Sequence, residues 1–414
     1  MAPSHPSSKR RATRERGGNL QTCIGYAIVG FYNILIPTII FSCSYLIIPF
    51  TRGSVILVEA LPALAAKLIF PHLIHYVPYY QRLFLIILCW AVSGIVSWAT
   101  PPNVETSLRV LVVMLATATA ALTEVWMLGM LRHYGRSGVA GWGIGTGLGY
   151  LAAALYPYVV TVKIGIFLRD TLESLYLLIP ALAWGLSLVL TTRSKYQYGE
   201  PCEEADSDHD EGASLFVEEP PRPGSAFRAG VEQNLNKLGG LVKPVMRPLY
   251  DALRTQALFV PGLFRAAPQT NSFDTFFAYF TACGLAFHIG NLIGRSSILY
   301  KRTNQHKQLI RGLTFFSLVL MLNSLFVIIS SPIMLLGFTS LAGVVSGTVY
   351  IQTIDSALEI TLRDSPDDSE FLMGAIGAAD TLGVLVGGLM GAVCETLLCG
   401  KGWGYGQRWC YSPK

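Results

Sequence analysis

The sequence predicts an all-α membrane protein, a two-half helical bundle with ten or eleven transmembrane helices. Three observations lead there: a composition too apolar for a water-soluble globule, a succession of apolar runs of membrane-crossing length, and one long acidic stretch that divides them. Of 414 residues, 52% are hydrophobic and only 14% charged, whereas soluble domains carry roughly 25% charged residues. A chain this long without more charge cannot cover a water-facing surface, which argues against a soluble secreted or cytosolic enzyme. The net charge of +5 forms no nucleic-acid stripe, because the basic residues border apolar runs.

The elements follow in order. A basic tail, 1–21, carries Lys9, Arg10, Arg11, Arg14 and Arg16, and the positive-inside rule assigns it to the cytosol. Six apolar runs come next, near 22–49, 53–77, 82–99, 108–131, 137–160 and 172–191, each long enough to cross about 30 Å of hydrocarbon. Together they form a six-helix N-terminal bundle, 22–193. The segment 194–238 is an acidic connector with nine carboxylates between Gly199 and Pro220 and no Lys or Arg among them. Such composition self-repels and resists packing. Ser207 lies in it as a candidate modification site. A C-terminal bundle, 239–395, holds clear runs near 273–294, 311–330, 332–354 and 371–395, and a tail follows at 396–414.

Hydropathy counts ten crossings, but charge counts eleven. The loop with Arg295, Lys301, Arg302, Lys307 and Arg311 faces the cytosol only if an extra crossing precedes Asn271. The one candidate is Gly239–Phe264, interrupted by Lys243, Arg247, Asp251 and Arg254, so this first helix of the second half reads as weak or missing. An internal repeat favours it. Gly141, Gly145 and Gly149 recur every fourth residue in the fifth run, and Gly383, Gly387 and Gly391 do so in the last. Small residues at that spacing let helix backbones approach in lipid. Both stripes occupy the fifth helix of a half only when the extra helix is counted. Two like halves around a cytosolic linker is the parallel-repeat plan of major facilitator transporters.

Ionisable groups inside apolar runs are costly and mark candidate function. Glu124 lies on a small-residue face with Thr117, Ala120 and Ala121. Lys67 sits deep in the second run, and Glu59, two turns earlier, is placed to pair with it. Lys67 is the candidate anion ligand of a solute path, and Glu59, Glu124 and Asp380 are candidates for proton coupling or gating; Asp380, in the last run, has capping a broken helix as its alternative role. Gly343, Ser346, Tyr350 and Thr353 share one face, with Gln352 beside them; Tyr32 and Asn33 raise the same question of solute path against interhelical bonding. His288 reads as a packed residue.

Cys23, Cys43, Cys89 and Cys283 read as buried thiols. Cys394, Cys399 and Cys410 lack zinc spacing, so no metal or cofactor is expected. The first run is too long for a signal-peptide core, and the ending Cys-Tyr-Ser-Pro-Lys is one residue too long for a prenylation box. P-loop, G-x-S-x-G and H-E-x-x-H motifs are missing.

The block from His133 through Gly147, with Tyr134, Arg136, Trp142, Gly145, Thr146 and Gly147, resembles the battenin family. So do Glu59, Pro62 and Lys67 in the second run, Arg295-Ser296-Ser297, and Tyr350, Thr353, Glu359, Glu370, Phe371, Asp380 and Gly383 near the end. The resemblance runs over about 22–193 and 273–395. It implies an eleven-helix, major-facilitator-like protein of the lysosome or vacuole. It also implies export of glycerophosphodiesters and a link to organelle pH and basic amino acids. The family's seventh helix, aromatic and bearing a carboxylate, has no counterpart at Gly239–Phe264. Expected partners are a small polar solute, protons and the lipid bilayer. A non-transporting scaffold acting through its linker is the alternative.

Overall fold

The computed structural model describes residues 6–45, 52–74, 77–100, 106–197, 236–258, 276–300, 306–326, 328–329, 331–366 and 368–400. These form ten α-helices. They are α1 (Pro6–Tyr45), α2 (Arg52–Leu73), α3 (Tyr79–Ala99), α4 (Thr106–Tyr158), α5 (Leu175–Gln197), α6 (Arg247–Leu258), α7 (Phe276–Ser296), α8 (His306–Phe326), α9 (Pro332–Asp364) and α10 (Ser369–Gly400). At about 1.5 Å per residue, the 53 residues of α4 are far too long for one crossing. Gly135 breaks it with φ 58° and ψ −146°, a conformation open essentially to glycine alone. The two arms, 106–134 and 136–158, are separate helices, each long enough for one crossing, which makes eleven helices among the described residues.

The eleventh is the helix that hydropathy left in doubt. Residues 236–241, a π-helical turn Val242–Met246 and α6 form one helical stretch. Leu241, Val245, Leu249, Ala252, Leu253 and Gln256 are buried along it, at helical spacing, while Lys243 and Arg247 are exposed. A window average taken around the helix misses this one-sided pattern. Residues 259–264, the end of the expected span, lie outside the described residues.

Helix α1 already begins at Pro6, and α5 continues to Gln197. The connector's carboxylates and Ser207 fall in 198–235, outside the described residues. At the C-terminus α10 extends to Gly400, past the expected end of the bundle.

Glycine stripes set the packing inside each half. A Cβ at Gly141 would strike the backbone of Cys23, one at Gly145 that of Ala27, and one at Gly149 the backbone of Phe31 and the side chain of Ile34. The second arm of α4 is thereby seated on α1. A Cβ at Gly383 would strike Tyr250 and Arg254, and one at Gly387 the Arg254 backbone, so α10 is seated on α6. The fifth helix rests on the first in both halves, which is the repeat seen from inside. A further stripe joins α7 to α9: Gly290 and Gly294 meet Ser340 and Val344, while Gly343 and Gly347 meet Phe287 and Asn291. Gly343 is thus a packing residue and does not line a path. The halves meet where α2 packs on α10 and the second arm of α4 on α7.

Candidate functional site

Two buried polar clusters occupy the junction between the halves. In the first, the Lys67 ammonium of α2 lies 2.7 Å from Glu124 of the first arm of α4 and 2.7 Å from Asp380 of α10. Lys67 is 4% exposed, so it does not snorkel to an interface. Bare backbone at Gly377 makes the room: a Cβ there would come within 3.2 Å of the Lys67 chain and 3.4 Å of Glu124 Oε1. The Thr381 hydroxyl donates to Asp380 at 2.8 Å. Helix α10 runs unbroken past Asp380, so this carboxylate caps nothing and serves Lys67 instead. Glu124 Oε1 is buried with no hydrogen-bond partner. Glu59, expected beside Lys67, is exposed; Lys67 is held by Glu124 and Asp380.

The second cluster centres on Arg295 at the end of α7. The charge rule places this residue in a solvent-facing loop, yet its exposure is 1%. Its Nε donates to Asn291 Oδ1 at 2.6 Å and its Nη1 to Thr146 Oγ1. The guanidinium carbon lies 3.8 Å from the Tyr350 ring centroid and 5.1 Å from that of Tyr150, a cation–π arrangement between two rings. Trp142 Nε1 donates to the Tyr350 oxygen at 3.1 Å. Asn291 Nδ2 and the Ser346 hydroxyl both donate to Gln256 Oε1, at 3.4 and 3.3 Å. His288 stacks on Tyr150 with centroids 5.5 Å apart and planes 4° from parallel. Among the described residues, no carboxylate pairs with Arg295.

Of the residues singled out from sequence, Lys67, Glu124 and Asp380 meet in one cluster, and Ser346 and Tyr350 join the other. Thr353 and Asn33 are buried, each with an oxygen lacking a partner. Tyr32 is half-buried and packs edge-on against Phe31. Arg295, Asn291, Tyr150 and Gln256 were missed as site residues. The available signal was the i, i+4 pair Asn291 and Arg295 beside glycines 290 and 294, which extends the helix through Arg295.

Two further ion pairs cross between the halves at the end of the bundle where α4 kinks. Arg82, at the start of α3, pairs with Glu370 at the start of α10 and donates to the Ile74 carbonyl. Arg136, just past the kink, lies 3.4 Å from Asp355 of α9. A cavity of about 320 Å³ opens beside this second pair, lined by Gly135, Arg136, Asp355, Leu358, Glu359 and Leu362.

A sequence model described as CLN3 protein matches residues 24–401. The chain is 25% identical to Protein btn-1 of Neurospora crassa, over 99% of this chain and 96% of that protein. It is 27% identical to Battenin of Canis lupus familiaris, over 84% of this chain and 78% of that one. Among solved structures it resembles the proton:xylose symporter XylE, with a TM-score of 0.55, 12% identity, and coverage of 92% and 88%. It also resembles the Escherichia coli fucose:proton symporter FucP, with a TM-score of 0.52, 14% identity, and coverage of 92% and 96%. At such identities the likeness concerns the fold, which is that of major facilitator transporters.

Proposed function

The chain belongs to the CLN3 protein family, and on that premise we propose that it carries a small anionic solute across the lysosomal or vacuolar membrane, coupled to protons. The observation that carries the reading is Arg295. A guanidinium at 1% exposure, held only by neutral groups among the described residues, bears a costly uncompensated charge. An arriving anion offsets that cost. The planar fork suits a phosphate oxygen pair, so a glycerophosphodiester is the solute class we assign. Tyr350 and Thr146 supply hydroxyls beside it, in place of water.

The position between the halves supports a carrier. Arg295, Asn291 and Tyr350 come from the second half, whereas Thr146, Trp142 and Tyr150 come from the first. A group held by both halves is released when they rock apart. Lys67, bound to two carboxylates, is a poorer anion ligand than its depth in the sequence suggests, so we move the substrate role to Arg295. Glu124 and Asp380 keep the coupling role, which the proton symporters of like fold support. A proton-coupled flux ties the protein to organelle pH. Basic residues before the first span support a cytosolic N-terminus.

The test is uptake of a labelled glycerophosphodiester into liposomes containing the purified protein. Arg295→Gln should lower uptake at least about tenfold, the worth of a charge-assisted hydrogen bond, without loss of folded protein. Unchanged uptake by that variant removes Arg295 from the path. Failure of any phosphodiester to move in the wild type removes the substrate class.

A further inference from the structure

The two clusters share one electrostatic neighbourhood. The charges of Lys67, Glu124, Asp380 and Arg295 all act on Tyr150, and those of Glu124, Asp380 and Arg295 on Tyr350. Nearby charges pair off separately, Arg82 with Glu370 and Asp355 with Arg136, and Glu59 is exposed. Among the described residues this leaves two buried cations, Lys67 and Arg295, and two carboxylates, Asp380, which is buried, and Glu124, whose Oε1 is buried. The empty site is therefore neutral overall but divided, with the surplus positive charge at Arg295 and the surplus negative charge at the lysine cluster.

A monoanion docking on Arg295 leaves this dry region with one net negative charge. Burying an uncompensated charge is expensive, and one proton restores neutrality. Its landing place is marked by geometry. Asp380 accepts from Lys67 and from the Thr381 hydroxyl. Glu124 uses only Oε2 toward Lys67, and its buried Oε1 has no partner. The groups acting on Glu124 are Lys67 of α2 and Asp380 of α10, and its own charge reaches Tyr350 of α9 and Tyr150 of the second arm.

Resting on the anion-transport reading, we propose that one solute monoanion and one proton cross together as an electroneutral pair, the proton bound to Oε1 of Glu124. As the anion docks, a hydronium ion on the side the site faces gives up a proton, leaving water, and an O–H bond forms at Oε1. The Glu124–Lys67 ion pair weakens, and Lys67 stays with Asp380. When the halves open to the other side, the anion leaves Arg295, and the same O–H bond breaks as its proton passes to water on that side. Glu124 is then ionised again and re-pairs with Lys67.

The experiment uses the full chain in liposomes and a labelled glycerophosphodiester of single negative charge. Counterflow exchange is measured first, then net flux under imposed potentials of either sign without a pH gradient, then accumulation under a pH gradient alone. The expected wild type exchanges, ignores the potential, and accumulates solute about tenfold per pH unit, as one-to-one coupling dictates. Glu124→Gln, a mimic of the protonated state, should keep exchange, lose pH-driven accumulation to a ratio near one, and respond to potential. Potential-driven flux in the exchanging wild type overturns the electroneutral pair while leaving transport intact, and so does pH-driven accumulation by Glu124→Gln. No exchange by the wild type overturns the transport reading and the pair with it.

Discussion

Arg295 and Lys67 are both buried cations, and their surroundings part their roles. Lys67 has two carboxylates at 2.7 Å, whereas Arg295 has an amide, a hydroxyl and two aromatic faces. Removing one partner of a buried ion pair costs about 3–5 kcal/mol, because the other charge is stranded. Lys67→Met should therefore strongly lower the melting temperature in detergent. The triple variant Lys67→Met, Glu124→Gln, Asp380→Asn should recover much of the loss, since no lone charge remains. A triple variant no more stable than the single one would show that Lys67 acts through its shape rather than its charge. At Gly135 the constraint is backbone alone, for nothing lies within 4 Å of a Cβ built there. Gly135→Ala should cost about 1–3 kcal/mol through its dihedral angles, read as a lower unfolding midpoint.

At the scale of elements, the glycine stripes act as seats. Where a Cβ would land on backbone, a larger side chain forces the helices apart and no rotamer relieves it. Gly145→Leu on the second arm of α4 and Gly387→Leu on α10 should lower folded yield to a similar degree, because each holds the fifth helix of a half on the first. Normal yield and thermal stability of Gly387→Leu would separate α6 from the role of first helix. The same count of crossings fixes sidedness. Tyr300, 86% exposed after the short 3₁₀ turn Ser297–Leu299, should lie on the side of the N-terminus. A cysteine placed there in a thiol-free background should react with an impermeant reagent from the cytosol; labelling from the lumen alone would undo the eleven-helix path.

For the whole molecule, the halves are joined by charge at the kinked end. Arg82–Glu370 and Arg136–Asp355 each take one partner from either half, so they must part if that end opens. Glu370→Arg alone should place two guanidinium groups together and lower transport and stability. Adding Arg82→Glu should restore both in part, giving a coupling energy above about 0.5 kcal/mol in a double-mutant cycle. Additive losses would mean that the pair does not join the halves energetically.

The membrane class and the two glycine stripes were both legible in the sequence. They depend on composition and on spacing along one helix, which the chain carries locally. Lys67, Glu124 and Asp380 stood out for the same reason, as charges inside apolar runs. Their meeting was not legible, because Lys67 and Asp380 are 313 residues apart and only the packing of α2 on α10 brings them together. Helix α6 was half legible: its buried face is periodic, but its exposed charges lower any average. Arg295 was misread, since local charge counting treats every arginine near a helix end as solvent-facing. Whether a charge meets water, a counter-ion or neither is a property of the elements packed around it, and the tertiary structure alone decided that.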